Sequence, residues 1–279
     1  MNQLKMKQKI EQFLLEDIGD RDITSQSVFP QEQQGTGVFI AKDSGVLSGV
    51  HIIAHTYQLL NSSIKVNIQK HDGESLEKGD EIATVTGQVS DLLTGERVIL
   101  NLMQRMSGIA TLTEQAVKTL GSERTKICDT RKTTPGLRMF EKYAVTCGGG
   151  FNHRFGLYDG IMIKDNHIAF CGSISKAVAK VKEGLGHMVK IEVETESSEQ
   201  VQEAVQANVD VIMLDNQSPE EVKVLVDLIP KSIITEASGN ITLENIHDYR
   251  DSGVDYISLG LLTHSVKSLD ISFDVVYVN

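Results

Sequence analysis

At 279 residues and 40% hydrophobic, the chain can bury a full core and suits one or two domains, and a charged share of 23% excludes wholesale disorder. A net charge of −11 argues against a nucleic-acid backbone as the main partner, and no apolar run approaches the roughly 20 residues that span a bilayer. The three cysteines, Cys128, Cys147 and Cys171, show no C-x2-C spacing, which points away from disulfides and structural zinc and towards a reducing cytoplasm.

In chain order, residues 4–16 place Leu4, Ile10, Phe13 and Leu14 at near-helical spacing and predict an amphipathic helix, broken by charge too often for a signal peptide. Strand-like runs come next at 36–41, 63–68 and 80–85, with Gly and Asp at the turns. The stretch 72–87 looks superficially like a biotinyl or lipoyl carrier, but no lysine sits in the hairpin that such a carrier modifies, so it reads as local strand geometry. His51 and His55 have helical metal-ligand spacing without the H-E-x-x-H glutamate and read as surface or packing histidines.

From Ser90 to about Leu120, apolar residues recur at helical spacing, with Met103 and Met106 in the core. Gly95 is expected to start a helix and Gly108 to break the stretch into two. This stretch predicts the hinge between an N-terminal domain and the second half of the chain.

After residue 125, short apolar runs alternate with helix-like segments, at 125–130, 159–165, 189–194, 210–215, 232–238 and 255–260. With the last four ending at Glu194, Asp215, Ser238 and Gly260, the repeat is 21 to 23 residues, enough for one strand, one helix and two loops. Such βα units predict an α/β barrel of six or seven strands with its site at the carboxyl ends. A doubly wound sheet is the alternative, weakened by the lack of G-x-G-x-x-G. Residues 269–278 predict one more strand, returning to the N-terminal domain.

Charge is distributed unevenly. Between Arg124 and Lys164, eight Lys/Arg face three acids, a local +5, while the remainder carries 19 basic and 35 acidic residues. Arg131-Lys132 follow the first barrel run, His153-Arg154 follow Gly148-Gly149-Gly150, and Lys164 ends the second run. Cations from several loops meeting at one barrel mouth suit a multiply charged anion, and the triple glycine could turn its N–H groups towards an oxyanion.

The motifs TRKTTPGLR (130–138), GGGFNHR (148–154) and GIMIKDNHI (160–168) closely resemble the quinolinate phosphoribosyltransferase family. The resemblance extends through LEDIGDRDITS, GERVILNLMQRMSGIAT, KIEVE, VIMLDN, TEASGNI and ISLGLLTHS, so it covers nearly the whole chain. It implies an N-terminal α/β sandwich domain (1–110, with 269–279 returning to it) and an open, seven-stranded α/β barrel (111–268). The implied reaction joins quinolinate to phosphoribosyl pyrophosphate (PRPP) with Mg2+, giving nicotinate mononucleotide, pyrophosphate and CO2 in NAD biosynthesis. A homodimer or higher homo-oligomer with shared active sites is implied, with no nucleic acid or membrane partner.

Carried over by position, Arg131, Arg154 and Lys164 match the cations that hold the quinolinate carboxylates, with Thr130 and His153 beside them. Arg97 matches an arginine from the partner subunit, and Lys132 a lysine on the PRPP side. Glu194 and Asp215 match acids near the ribose and its metal-bound pyrophosphate, directly or through water. Ser238, Gly239 and Gly260 match loops around the 5′-phosphate, with His264 just after them. Chemically, the cations offset repulsion between two anionic substrates, and a carboxylate can stabilise oxocarbenium-like charge on the ribose.

Several residues carry plainer readings. Asp129 and Asp165 suit strand-end and turn roles; His167 suits either a site role or a ring bonded beside Lys164; Cys128 and Cys147 suit small buried hydrophobes. Glu192 and Glu194 are read as pointing to opposite faces of one strand, with Glu194 inward by analogy. The rivals are a phosphoribosyltransferase for a pyridine monocarboxylate, a barrel aldolase using Lys164 as a Schiff-base amine, and a sugar-phosphate-binding regulator on a retired barrel. The type I phosphoribosyltransferase signature is absent, which agrees with a barrel-type site.

Overall fold

The computed structural model describes residues 1–278; Asn279, the last residue of the expected return strand, lies outside the described residues. The first apolar stripe becomes helix α1 (Gln3–Ile18), capped by Asn2, whose side chain accepts the Lys5 N–H. Met6, Ile10 and Leu14 form its buried face at four-residue intervals, whereas Leu4 is exposed. Helix α2 (Ile23–Val28), capped by Asp22, has no counterpart among the predicted elements.

Strands β1 (Gln34–Ala41) and β2 (Gly45–Val46) precede helix α3 (His51–Leu60), on which His51 is exposed and His55 half-buried. Then come β3 (Lys65–Ile68), β4 (Ser75–Leu76) and β5 (Glu81–Gln88). Residues 90–120 do not form two helices. They lie on one 32-residue helix, α4 (Val89–Leu120). Its glycines serve close packing: a Cβ on Gly108 would sit 2.2 Å from the Lys267 carbonyl oxygen, and one on Gly95 would press on Tyr57 at 2.9 Å. Met103 and Met106 are buried as expected.

The second half begins with β6 (Lys126–Cys128) and α5 (Arg138–Cys147), then β7 (Ile161–Ile163), α6 (Asp165–Cys171) and α7 (Ile174–Gly184). Three βα turns come next: β8 (Ile191–Thr195) with α8 (Ser198–Gln206), β9 (Val211–Asp215) with α9 (Pro219–Val226), and β10 (Ile234–Ser238) with a 3-10 turn (Ile246–Tyr249). Strand β11 (Tyr256–Ser258) and the short α10 (Leu261–His264) complete the series. All six expected runs are strands of one parallel sheet, in the order β6-β11-β10-β9-β8-β7.

A seventh place in that sheet is held by one residue. Phe151 forms a parallel bridge to Cys128, donating its N–H to Ile127 at 2.8 Å and accepting that of Asp129 at 3.0 Å. Its ring meets Tyr256 edge-on at 6.2 Å, with the Lys126 amine 4.8 Å from its centroid. Among the described residues no pairing joins Phe151 to β7, so the barrel is open on that side.

The last strand, β12 (Ile271–Val278), pairs antiparallel with β1 in the sheet β12-β1-β5-β3. The chain divides into two compact units: residues 1–114 with 139–149 and the segment from Ser265 on, and residues 115–138 with 150–264. Segment 139–149, expected within the barrel domain, groups with the N-terminal unit. Its own contacts explain this: Phe140 packs on Phe13 at 6.2 Å, Glu141 pairs with Arg105 at 2.6 Å, and the Tyr143 hydroxyl donates to Asp72 at 2.8 Å. Among the described residues no helix is long and apolar enough to cross a membrane.

Candidate active site at the carboxyl ends of the barrel strands

Because side chains alternate along a strand, each barrel strand sends every second residue inward. At the carboxyl ends, Thr130, Lys164, Glu194, Asp215 and Ser238 meet Arg131, Lys132, His153 and Arg154 from the adjoining loops. These nine residues line one cavity of about 360 Å³, floored by Met162, Met213, Glu236 and Ser258.

The cations are held by their backbones more than by their charges. Lys132 donates its N–H to Thr130 Oγ1 at 3.0 Å, and its carbonyl accepts the Thr263 hydroxyl at 2.7 Å. Lys164 sits just before α6, its N–H bonded to His167 Nδ1 at 3.0 Å, which gives His167 its structural role. Asp165 accepts the Asn166 N–H at 2.7 Å, an ordinary turn contact. Arg154 reaches the Gly160 carbonyl through Nη1 at 2.8 Å. The Nε atoms of Arg131 and Arg154 are buried without a hydrogen-bond partner. Burial, followed by the charge of Arg131, pushes the Arg154 pKa down. Two half-buried guanidiniums, the charge of one disfavouring that of the other and each with a buried Nε lacking an acceptor, are arranged for an anion.

The acids stand opposite. Glu194 accepts the Lys164 ammonium at 2.8 Å. Burial, and then the charge of Glu194, raises the Asp215 carboxyl above its ordinary range, while a hydrogen bond from Ser238 pulls it back. Gly260 lies where a Cβ would come within 2.9 Å of the Lys132 side chain and 3.1 Å of His264. Gly239 has φ +87° and abuts Asn216, so neither loop tolerates a side chain at these positions.

Four predicted residues stand apart from the lining. His264 is exposed at the end of α10, and Gly239 and Gly260 shape loops beside it. Arg97 belongs to the N-terminal unit, with its side chain 59% exposed and 3.8 Å from Glu96. Two amides of the triple glycine are already used: the Gly148 and Gly149 N–H groups close the end of α5 on Ala144 and Thr146, and a Cβ on Gly148 would clash with the Ala110 carbonyl.

One further reading is corrected. Glu192 and Glu194 share one face, since residues two apart on a strand point the same way. Glu194 lines the mouth, and Glu192 lies one layer deeper, at a second cavity of about 490 Å³ towards the amino ends of the strands. His153, which lines the cavity, has both ring nitrogens engaged: Nδ1 accepts the Arg154 N–H at 2.8 Å, and Nε2 lies 2.9 Å from Glu192. Nδ1 is therefore unprotonated and Nε2–H is the donor to Glu192. Asp129, fully buried, fixes the same segment by accepting the His153 N–H at 2.9 Å and the Asn152 amide at 2.6 Å. Cys128 is buried as expected, whereas Cys147 is half-buried, and burial raises its thiol pKa.

Sequence reasoning missed Glu236 and Ser258. Each lies two residues before a predicted strand end, Ser238 and Gly260, and the same two-residue step that corrects Glu192 would have found them. Glu236 is 4% exposed, borders both cavities, and lies 3.8 Å from His153. Burial, then the charge of Glu192, raises its carboxyl to about 7. Among the described residues, His153, Glu192 and Glu236 are the one group of three potential ligands, within 4.8 Å of one another. The imidazole nitrogen that faces the acids already directs its proton to Glu192, so within the trio His153 and Glu192 form a hydrogen-bonded pair with Glu236 beside them.

Comparisons with known proteins agree with this geometry. Residues 22–107 match the family model described as quinolinate phosphoribosyl transferase, N-terminal domain, and residues 109–274 match that of its C-terminal domain. A probable nicotinate-nucleotide pyrophosphorylase (carboxylating) of Bacillus subtilis (strain 168) is 56% identical over 279 residues, covering 100% of this chain and 96% of that protein. The crystal structure of NadC from Streptococcus pyogenes superposes with TM-score 0.96 at 41% identity, covering 100% of this chain and 99% of that one. Human nicotinic acid phosphoribosyltransferase shares the fold alone, with TM-score 0.61 at 11% identity, covering 96% of this chain and 74% of that one. With both domain models matched end to end, the chain is a member of the quinolinate phosphoribosyl transferase family.

Proposed function

We propose that the chain is a pentosyltransferase that joins quinolinate to PRPP, yielding nicotinate mononucleotide, pyrophosphate and CO2 in NAD biosynthesis. The observation that carries this reading is the pair of buried, acceptor-free guanidinium nitrogens on Arg131 and Arg154, in one cavity with Lys164. A pyridine with two adjacent carboxylates satisfies these cations; a monocarboxylate leaves part of the charge unmatched. Lys164, hydrogen-bonded to Glu194, is placed as an ammonium clamp and not as a Schiff-base amine.

Lys132, with the loops at Ser238, Gly239 and Gly260 and the neighbouring His264, takes the phosphate side. Departure of pyrophosphate builds positive charge on the ribose, which ionised Glu194 and Asp215 stabilise across the cavity. The same two carboxylates suit Mg2+. They are hard oxygen donors, close enough for one to raise the pKa of the other, and a divalent cation relieves that repulsion. Bound there, directly or through water, Mg2+ would neutralise the leaving pyrophosphate.

Arg97, exposed on the N-terminal unit, is available to complete the site of a neighbouring copy, so the working form is a homodimer or a higher assembly of dimers. Three free cysteines suit a reducing cytoplasm. The test is direct: purified protein, PRPP, Mg2+ and quinolinate, following CO2 and nicotinate mononucleotide. Turnover is expected with quinolinate; turnover with nicotinate alone would overturn the reading.

A further inference from the structure

This inference rests on the quinolinate reading and concerns the step after ribosylation. When the 2-carboxylate leaves as CO2, the electrons of the broken C–C bond remain on ring carbon 2, beside the positively charged nitrogen. A proton must bond to that carbon as the C–C bond breaks, before CO2 recombines with it, so the proton donor governs net CO2 release. We propose that Glu236 delivers it and is reprotonated from the cavity at the opposite end of the barrel.

The other groups at the mouth are unsuited to the task. Arginine does not release a proton under working conditions, and Lys164 shares its proton with Glu194. His153 has no proton on Nδ1, and its Nε2–H is directed at Glu192. Glu194 and Asp215 must be ionised to face the ribose. Glu236 remains, a carboxyl on the cavity floor whose Oε1 is buried without a hydrogen-bond partner. An ionised carboxylate there would lack the partners that a buried charge requires, so the neutral acid is favoured.

The surroundings point the same way. The charged or titratable groups facing Glu236 are Glu192 on β8, His153 in the loop after α5, and Asp129 after β6; β9 presents Met213 and β11 presents Ser258. Two of the three are acids, and they hold the Glu236 pKa up. The route for recharging is also present. Glu236 borders both the mouth and the 490 Å³ cavity beyond it, so protons can arrive from behind while both substrates fill the front. Per turnover, Glu236 passes one proton to carbon 2, becomes a carboxylate, and regains one proton from water in the rear cavity. CO2 carries away no proton, so the sequence balances with one proton taken from solvent.

The experiment is a single-turnover comparison of wild type and Glu236→Gln, following pyrophosphate and CO2 separately. Wild type should release both, with CO2 release slowing above about pH 7. In E236Q, pyrophosphate release should be little changed and CO2 release slower by about 100-fold or more, with the dicarboxylated nucleotide accumulating and the high-pH limb gone. Equal pyrophosphate and CO2 rates in E236Q, with the pH limb unmoved, would overturn the proposal. If E236Q does not fold, Glu236→Asp decides: CO2 release lagging behind pyrophosphate, with a displaced limb, supports the role, and wild-type behaviour in both refutes it. Failure of wild type to release pyrophosphate from quinolinate and PRPP would instead refute the substrate assignment itself.

Discussion

Replacing Arg154 with glutamine should separate affinity from stability. In the unliganded protein the Arg154 charge is disfavoured by burial and by Arg131, and its Nε has no acceptor. Neutralising it relieves that repulsion but loses the 2.8 Å bond from Nη1 to the Gly160 carbonyl. The two changes oppose each other, so the unliganded variant should melt within a few degrees of wild type. With a dicarboxylate bound, one side of the balance disappears. A charge-assisted contact contributes about 1.5–3 kcal/mol, so the specificity constant for quinolinate should fall roughly 10- to 150-fold. Steady-state rates with quinolinate varied at saturating PRPP test this, together with melting curves with and without quinolinate. The shift in Tm induced by quinolinate should shrink with the affinity. A large loss of unliganded stability with an unchanged quinolinate response would refute the reasoning and make Arg154 a structural residue.

Other parts of the molecule lead to further outcomes. Glu236 is raised from 4.5 to about 7, so the folded state keeps a proton that the unfolded state releases; stability should fall as pH rises across that interval, and urea melts of Glu236→Gln should lack the fall. Gly108→Ala places a methyl group 2.2 Å from the Lys267 carbonyl oxygen and should cost about 1–3 kcal/mol, read as a lowered Tm. Arg97→Ala and Lys164→Ala, each inactive alone, should regain partial activity after subunit exchange; no recovery despite proven exchange would count against a site shared between copies.

The sequence was most informative where function sits at strand ends. The 21- to 23-residue repeat located Glu194, Asp215 and Ser238, because a barrel strand must stop where its loop begins and the mouth lies there. The layer beneath was hidden. Glu236 and Ser258 fall inside apolar runs, where a polar residue stands out only once strand faces are counted by twos, and the same lapse sent Glu192 to the wrong side. Gly108 misled for a different reason: a glycine needed for close approach and one that breaks a helix look identical in sequence. The Gly148 and Gly149 amides were likewise already committed to the end of α5, a fact set by hydrogen bonding and not by composition. The grouping of segment 139–149 with the N-terminal unit could not be read locally, because Phe140, Glu141 and Tyr143 find partners far away in the chain.

The return of β12 to β1 bears on how the molecule is made. Residues 34–41 have as neighbours residues 271–278, and β6 at 126–128 waits for β11 at 256–258. Each of these two sheets therefore holds a strand whose partner is synthesised well over a hundred residues later. Loops this long make pairing slow, and until it occurs the exposed rims of β1 and β6 are open to other chains. Deletion of residues 271–278 would leave β1 bare along one side, so the shortened chain should aggregate in place of yielding a trimmed enzyme.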